Sequence, residues 1–475
     1  MSRKPQESIT REEFGTLLSV KADDSVFSRA PIPRMPTPKT NAIIFYSNCG
    51  NPTAFGDFTQ CGALAYEVQK YSGIPVVLTS DPDDIHRFKK LYGNGAGYQL
   101  YGAPVQVIST AELNPNAFAV QGYVEVAWCK PNYRAFVHEI AGDSTKCAFV
   151  GTANYEAPFV APSISYFQLF RGGRARNFLV GIDAMRDGVT FSPFDSFSND
   201  VPENDLVMTT LPEKLIGNAR DYGLVYFNSS VEDQNFLTSY LELFTAIKQD
   251  ALIVAIGDAG SVSAAVKAYF HEATSDNKVI LVDYDSKISL LYFKRGLEPK
   301  KLNGCYDVLP EQGGVTTIVT CRSVSNLQMR RLIAGAHQFV GMTGVSSTIE
   351  AWGEKKIVVY QWLKNNAEFV SGYCKNPAFC ASSRMLQDFG RLLLKPTFNK
   401  GDIVKLIEYL QNKPLCDQLA ILNERIIVEA SGKLPARLLK WFGIARRDVG
   451  VDLNATKSDL PVEAAVSSMS CSRVV

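Results

Sequence analysis

The chain has 475 residues, 46% hydrophobic and 20% charged, which suits two or three globular domains with sizeable cores. A formal net charge of +1 gives no electrostatic case for nucleic acid. Ten scattered Cys without a C-x-x-C pair and four His at no close spacing argue against a metal site and for a reducing, cytoplasmic setting.

The opening Met1-Ser-Arg-Lys-Pro-Gln lacks the apolar core of a signal peptide, and no run of 18 apolar residues occurs. Residues 1–40 are polar and close on the Pro-rich Ala30–Pro38, an expected extended arm. A first α/β domain is then expected over 41–205. Its strands are Ala42–Tyr46, Pro75–Leu78, 105–108, 122–127, 147–151 and 177–182, with a helix over about 58–71. Strands alternating with helices imply a mostly parallel sheet.

The loop before that first helix carries Phe55-Gly56-Asp57-Phe-Thr-Gln60. Asp57 reads as an N-cap with Gln60 at N3, close to a capping box. It also reads as a general base at the C-terminal edge of the first strand, where open α/β sheets bind ligands. Further along, the basic loop Arg171–Arg176, His138-Glu139 and Asp183–Asp187 could line a cleft, but solvated or core roles are the plainer reading.

Residues 192–206 are rich in turn formers, and 206–245 is expected to be linker. A second α/β domain follows over 246–415, from the strand Ala251–Ile256. The turn Gly257-Asp-Ala-Gly260-Ser261 and the helix Val262–His271 make a candidate phosphate cradle, because Gly257 and Gly260 let backbone approach a ligand. Strands at 279–283 and 317–320 and a helix at 327–336 lead to the strand 337–340.

The most telling stretch is Gly341-Met-Thr-Gly-Val-Ser-Ser-Thr-Ile-Glu350-Ala-Trp-Gly353, followed by the strand Ile357–Gln361. Thr343, Gly344, Ser346 and Ser347 cluster where a helix begins. Helix N-termini offer unpaired N–H groups and the positive end of the dipole to phosphates. Glu350 lies one turn on, where a carboxylate can accept both hydroxyls of a ribose. An ordinary capped core helix has the same local pattern.

Gly344, Ser347 and Glu350 resemble the donor-nucleotide motif of GT-B glycosyltransferases. Gln361 and Asn366-Ala367 stand where the peptidoglycan N-acetylglucosaminyltransferase carries a Gln and an Asn-Ala pair that touch the sugar. The family's Pro after the strand is absent. Phe55-Gly56-Asp57 is similar to a turn of the elongation-factor arginine rhamnosyltransferases, which hold a catalytic Asp there. Thr53 replaces a second Asp of that family, and Val345-Ser346 an acidic pair. The resemblance implies two Rossmann-like domains facing across a cleft, with helices from 416–447 crossing back to the first domain. It also implies Gly257, Gly260 and Ser261 beside the diphosphate.

The expected activity is transfer of a sugar from a nucleotide-diphosphate sugar to an acceptor, a protein side chain being one candidate. Asp57 is then the base. Thr343, Gly344, Ser346 and Ser347 hold the donor phosphates, Glu350 the ribose, and Gln361 and Asn366 the sugar. No cofactor beyond the nucleotide sugar is expected, and no required metal, since no D-x-D falls at a suitable strand end. An epimerase of the same fold and a non-catalytic nucleotide- or protein-binding module remain open. The segment 433–447 mixes cations with Leu438, Leu439, Trp441 and Phe442, and reads as a packed terminal helix or a membrane-surface one. Residues 448–475 are expected to be disordered; their small, hydroxyl-rich end is loosely like bacterial effector export signals, which would place the protein in a bacterial or a host cytosol.

Overall fold

The computed structural model describes residues 39–48, 55–93, 97–126, 145–151, 174–191, 222–228, 234–248, 251–272, 278–283, 288–292, 300–302, 315–324, 326–363 and 366–447. The expected arm, most of the basic loop, His138-Glu139 and the C-terminal tail lie outside these residues.

The first domain contains β1 (Thr40–Ser47), α1 (Gly56–Ser72), β2 (Val76–Ser80), α2 (Ile85–Tyr92), the short β3 (Gln99–Leu100) and β4 (Ala103–Pro104), β5 (Gln106–Ser109), β6 (Phe118–Val126), β7 (Cys147–Gly151) and β8 (Ala175–Leu179). Six of these strands form one sheet in the order β5-β2-β1-β6-β7-β8, with every neighbouring pair parallel. The chain therefore reverses direction across the sheet between β1 and β6, and the crevice for a ligand opens at the C-terminal ends of those strands. Strand β1 is covered on both faces, as parallel strands are. Ile43 and Phe45 pack under α1, while Ala42, Ile44 and Tyr46 enter a separate core with Val77, Tyr123 and Phe149. Helix α1 presents Phe58, Cys61, Leu64, Ala65 and Val68 to the sheet at helical spacing, and ends at Gly73 in the left-handed region (φ +67°), whose N–H bonds Gln69 O at 2.7 Å.

The second domain contains β9 (Tyr222–Tyr226), α3 (Gln234–Ile247), β10 (Leu252–Ile256), α4 (Ala259–Glu272), β11 (Lys278–Asp283), β12 (Ile288–Tyr292), β13 (Lys300–Leu302), β14 (Val315–Cys321), α5 (Asn326–Gly335), β15 (Ala336–Thr343), α6 (Val345–Gly353) and β16 (Ile357–Gln361). Its sheet runs β13-β12-β11-β14-β10-β9-β15-β16, parallel except at β11–β12 and β12–β13. Here the reversal falls between β9 and β15.

Strand β9 corrects the expected linker at 206–245, and α3 begins there too. The run Tyr222-Gly-Leu-Val-Tyr226 is short and interrupted by glycine, so it reads weakly as strand. The glycine is a packing requirement: a Cβ on Gly223 would lie 2.8 Å from the Phe244 ring and 2.9 Å from the Tyr240 hydroxyl.

Helices α7 (Ala367–Cys374), α8 (Pro377–Cys380), α9 (Arg384–Leu393), α10 (Lys400–Gln411) and α11 (Lys413–Ala430) lead to α12 (Lys433–Phe442). Helix α12 lies on the first domain, packed along α1. Leu434, Leu438, Leu439 and Phe442 are buried, and the Phe442 ring would sit 2.9 Å from a Cβ on Gly122 of β6. Trp441 donates from Nε1 to Cys147 O at 3.0 Å, and Lys146 Nζ donates to Trp441 O at 2.8 Å. Each buried apolar side chain is worth about 1.5–3 kcal/mol. The half-exposed Arg437–Asp187 pair contributes about 0–1 kcal/mol, so apolar burial holds α12 in place. The apolar side of 433–447 is thus spent inside the protein, which corrects the membrane-surface alternative. Among the described residues no helix is long and apolar enough to cross a membrane.

Candidate functional site

Three C-terminal strand ends meet at the reversal point of the second sheet. Strand β15 stops at Thr343, and Gly344 turns the chain into α6 with φ +74° and ψ 155°. That conformation is strained for any residue with a Cβ, and glycine adopts it freely. A Cβ at Gly344 would meet no atom of the described residues within 4 Å, so among them the space over the turn is open. Gly344 has no side chain to cap the helix, and no acidic residue stands in its first turn. Ser346 and Ser347 are the half-buried residues of an otherwise buried helix. The Thr343 hydroxyl is buried with no hydrogen-bond partner among the described residues. An uncapped helix start with open space and hydroxyls beside it favours an anion.

The similar turn after β10 is built differently. Gly257 has φ +155° and a Phe227 ring against it. Asp258, not a glycine, caps α4: its Oδ2 accepts from Ser261 N at 2.9 Å and from Ser261 Oγ at 3.3 Å, while its carbonyl takes the first helical bond from Val262 N. This carboxylate takes one of the N–H groups of the expected cradle of Gly257, Gly260 and Ser261. An Asp ahead of Ala-Gly-Ser is a strong cap signal, and it was legible in the sequence.

Gln361 and Asn366 are also committed. Gln361 Oε1 accepts from Asn228 N at 2.7 Å, and its Nε2 donates to Asn228 O at 3.3 Å, clamping the end of β9 to that of β16. Asn366 is fully buried and donates to the Tyr360 hydroxyl. The Oδ1 of Asn366 is buried with no hydrogen-bond partner among the described residues.

Glu350 is 7% exposed, deep in α6. Burial raises its pKa, while the neighbouring Arg330 guanidinium and a hydrogen bond from Asn326, both on α5, pull it back down. Tyr92 and Tyr101 of the first domain and Tyr226 at the end of β9 feel its charge. The carboxylate therefore stands at the junction of the two domains.

Asp57 stands in the first turn of α1, half-buried. The helix begins at Gly56 with Phe55 at the N-cap position and no side-chain cap bond, and Gln60 is buried with its Nε2 unpartnered among the described residues. The capping-box reading is thereby corrected: the helix starts earlier than Asp57, because Gly56 already has helical geometry. Asp57 raises the pKa of Cys61 one turn on, after the larger effect of burial. Tyr92 reaches the same turn, its hydroxyl 3.4 Å from Phe58 O and 3.3 Å from Thr59 O. The turn that carries Asp57 and the carboxylate of Glu350 thus share Tyr92 as a neighbour, and α1 packs directly on α6.

The sequence reading passed over a polar group at the edge of the first sheet. The Tyr46 hydroxyl donates to Asp81 Oδ1 at 2.9 Å, and Asn48 Nδ2 donates to the Tyr46 hydroxyl at 2.7 Å. Glu125 is the cross-strand partner of Tyr46. Burial first, then Asp81 and Glu125, push the Tyr46 pKa up. The period-2 pattern of β1 hid Tyr46 among apolar residues. Among the described residues no group of three His, Cys, Asp or Glu could hold a metal ion.

No family model and no curated protein matches the chain. Solved structures do. Anabaena HepE in complex with UDP and glucose is 9% identical, with 85% of this chain and 99% of that one covered and a TM-score of 0.45. Neisseria meningitidis UDP-GlcNAc 2-epimerase bound to UDP-GlcNAc is 12% identical over 84% and 100%, at 0.43. Acinetobacter baumannii MurG is 10% identical over 85% and 99%, at 0.41.

Proposed function

We propose that the protein is a GT-B-like glycosyltransferase that moves a sugar from a nucleotide-diphosphate sugar to an acceptor. One observation carries this reading. The open, uncapped start of α6, at the reversal point of the second sheet, belongs to a helix packed on the one whose first turn bears Asp57. A phosphate seat and a carboxylate on two adjoining helices are what displacement at a sugar phosphate needs.

In this reading the α6 N–H groups with Gly344, Ser346 and Ser347 hold the diphosphate, and the Thr343 hydroxyl adds a donor. Charge develops on the phosphate as the sugar leaves, so oriented N–H groups there stabilise the transition state more than the ground state. Glu350 accepts the ribose hydroxyls; burial raises its pKa, and Arg330 with Asn326 opposes that rise. Asp57 takes the acceptor proton. Gly260, Ser261, Gln361 and Asn366 take no part.

The test is thermal. The full chain is heated with UDP-, GDP- and dTDP-sugars. A ligand at a hundred times its Kd stabilises by about 2.7 kcal/mol. The expected outcome is a higher Tm with one nucleotide class and slow release of labelled sugar. An epimerised sugar would move the assignment to the epimerases, binding without turnover would leave a binding module, and no shift with any nucleotide would end the reading.

A further inference from the structure

Arg330 belongs to α5 of the second domain, yet its guanidinium faces first-domain rings. Its central carbon lies 5.7 Å from the ring centre of Tyr101 and 5.9 Å from that of Phe191. It is 5% exposed. The Tyr101 hydroxyl feels its charge. On its own side it attracts Glu350 and stands 3.9 Å from Glu354. A planar guanidinium can stack on rings and pair with carboxylates at once, which an ammonium does poorly.

The first-domain side of this contact is tightly held. Tyr101 has φ +49°, a region non-glycine residues seldom occupy. Its ring meets Tyr66 of α1 edge-on at 5.0 Å and Tyr92 of α2 at 6.4 Å. Phe191 presses on Gly353, the last residue of α6; a Cβ there would be 2.2 Å from the ring. Both ends of the contact thus abut the helices that carry Asp57 and Gly344.

We propose that Arg330 is a positioning residue: it bolts the donor helix α6 to the first domain and so sets the spacing between donor phosphate and Asp57. The assignment rests on the donor-site reading above for its catalytic consequence, but not for its mechanical one. Neither sheet supplies this link, since among the described residues no strand of one pairs with a strand of the other.

The test compares the wild type with Arg330→Lys, which keeps the charge beside Glu350 and loses the stacking plane. A second variant, Phe191→Leu, loosens the first-domain side and leaves all charges. UDP binding, turnover and small-angle scattering of the full chain are measured for each. UDP affinity should stay near that of the wild type, because Arg330→Lys keeps a cation beside Glu350 and Phe191→Leu leaves the start of α6 as it is. Turnover should fall by about 10²-fold, the usual result of misplacing reacting groups by an ångström. Scattering should show a wider or broader spread of domain separations. Where Arg330→Lys does not melt cooperatively, Phe191→Leu, which leaves Arg330 and Glu350 in place, decides the proposal. Unchanged scattering and turnover in folded variants would overturn the bolt. Absence of binding by the wild type to UDP, GDP and dTDP alike would instead sink the donor-site reading, and scattering alone would then decide the bolt.

Discussion

The starts of α4 and α6 make an instructive pair. Both follow a strand of the same sheet, both come after a glycine with positive φ, and only β9 separates the two strands. At α4 the Asp258 carboxylate takes the free N–H, so the helix dipole is satisfied from within. At α6 Gly344 takes nothing, and the same dipole is left for a ligand. Glycine spacing alone does not make a phosphate site; what matters is whether the chain supplies its own anion.

The largest effect expected from this contrast is on the chemistry beside α6. Asp57→Asn preserves shape and hydrogen-bonding capacity but not basicity. Turnover should drop by about 10²–10⁴-fold, the usual worth of a general base, with nucleotide binding retained. Transfer or hydrolysis of a labelled sugar nucleotide at the wild-type rate would leave Asp57 out of the mechanism. Next comes the turn itself. Gly344→Val forces a branched side chain into φ +74° and into the open space, so nucleotide affinity should weaken by about 1–3 kcal/mol, the cost of such backbone strain. Calorimetry with an unchanged Kd would move the phosphate elsewhere.

The α4 side should respond in the opposite sense. Asp258→Ala should cost about 0.5–2 kcal/mol of stability through the lost cap and leave nucleotide affinity as it was. If affinity fell with stability in denaturant and binding titrations, α4 would belong to the site after all. The smallest effect is a slope. Burial raises the folded pKa of Glu350 above its unfolded value. The folded state then holds more protons than the unfolded one just above the ordinary carboxylate range, so this group's contribution to stability falls as pH rises there. Arg330 and Asn326 oppose the shift, Glu354 adds to it, and Tyr92, Tyr101 and Tyr226 face the group. Melting curves of Glu350→Gln between about pH 4 and 7 should lack that part of the slope. Parallel curves for variant and wild type would mean that the carboxylate titrates as if exposed.

Much of the fold could be read directly. Strands such as Cys147–Gly151 and Ile357–Gln361 are apolar runs flanked by turn residues, and they form where expected. Gly344 and Glu350 were marked by spacing alone. The rest depended on partners remote in sequence. Nothing local to Arg330 shows that Tyr101 and Phe191 wait for it. Gln361 resembles a sugar contact until Asn228 is found between its amide atoms. Tyr222–Tyr226 is a strand through its parallel pairing with β10 and β15, and Tyr240 and Phe244 pack on its glycine. Periodicity reports which face is apolar, and it is silent about what that face meets.

Because α12 completes the first domain, that domain cannot finish folding when its own strands leave the ribosome. From Leu179, the end of β8, to Lys433 the chain must lengthen through the whole second domain before Leu434, Leu438, Leu439 and Phe442 exist to close over α1 and β6. At about 5–20 residues per second the half-built sheet stays open to water for tens of seconds. Synthesis thus runs from one end to the other, but consolidation of the first half comes last. The halves are therefore not separable modules: expressed alone, residues 40–191 would present an apolar seam to every neighbouring nascent chain.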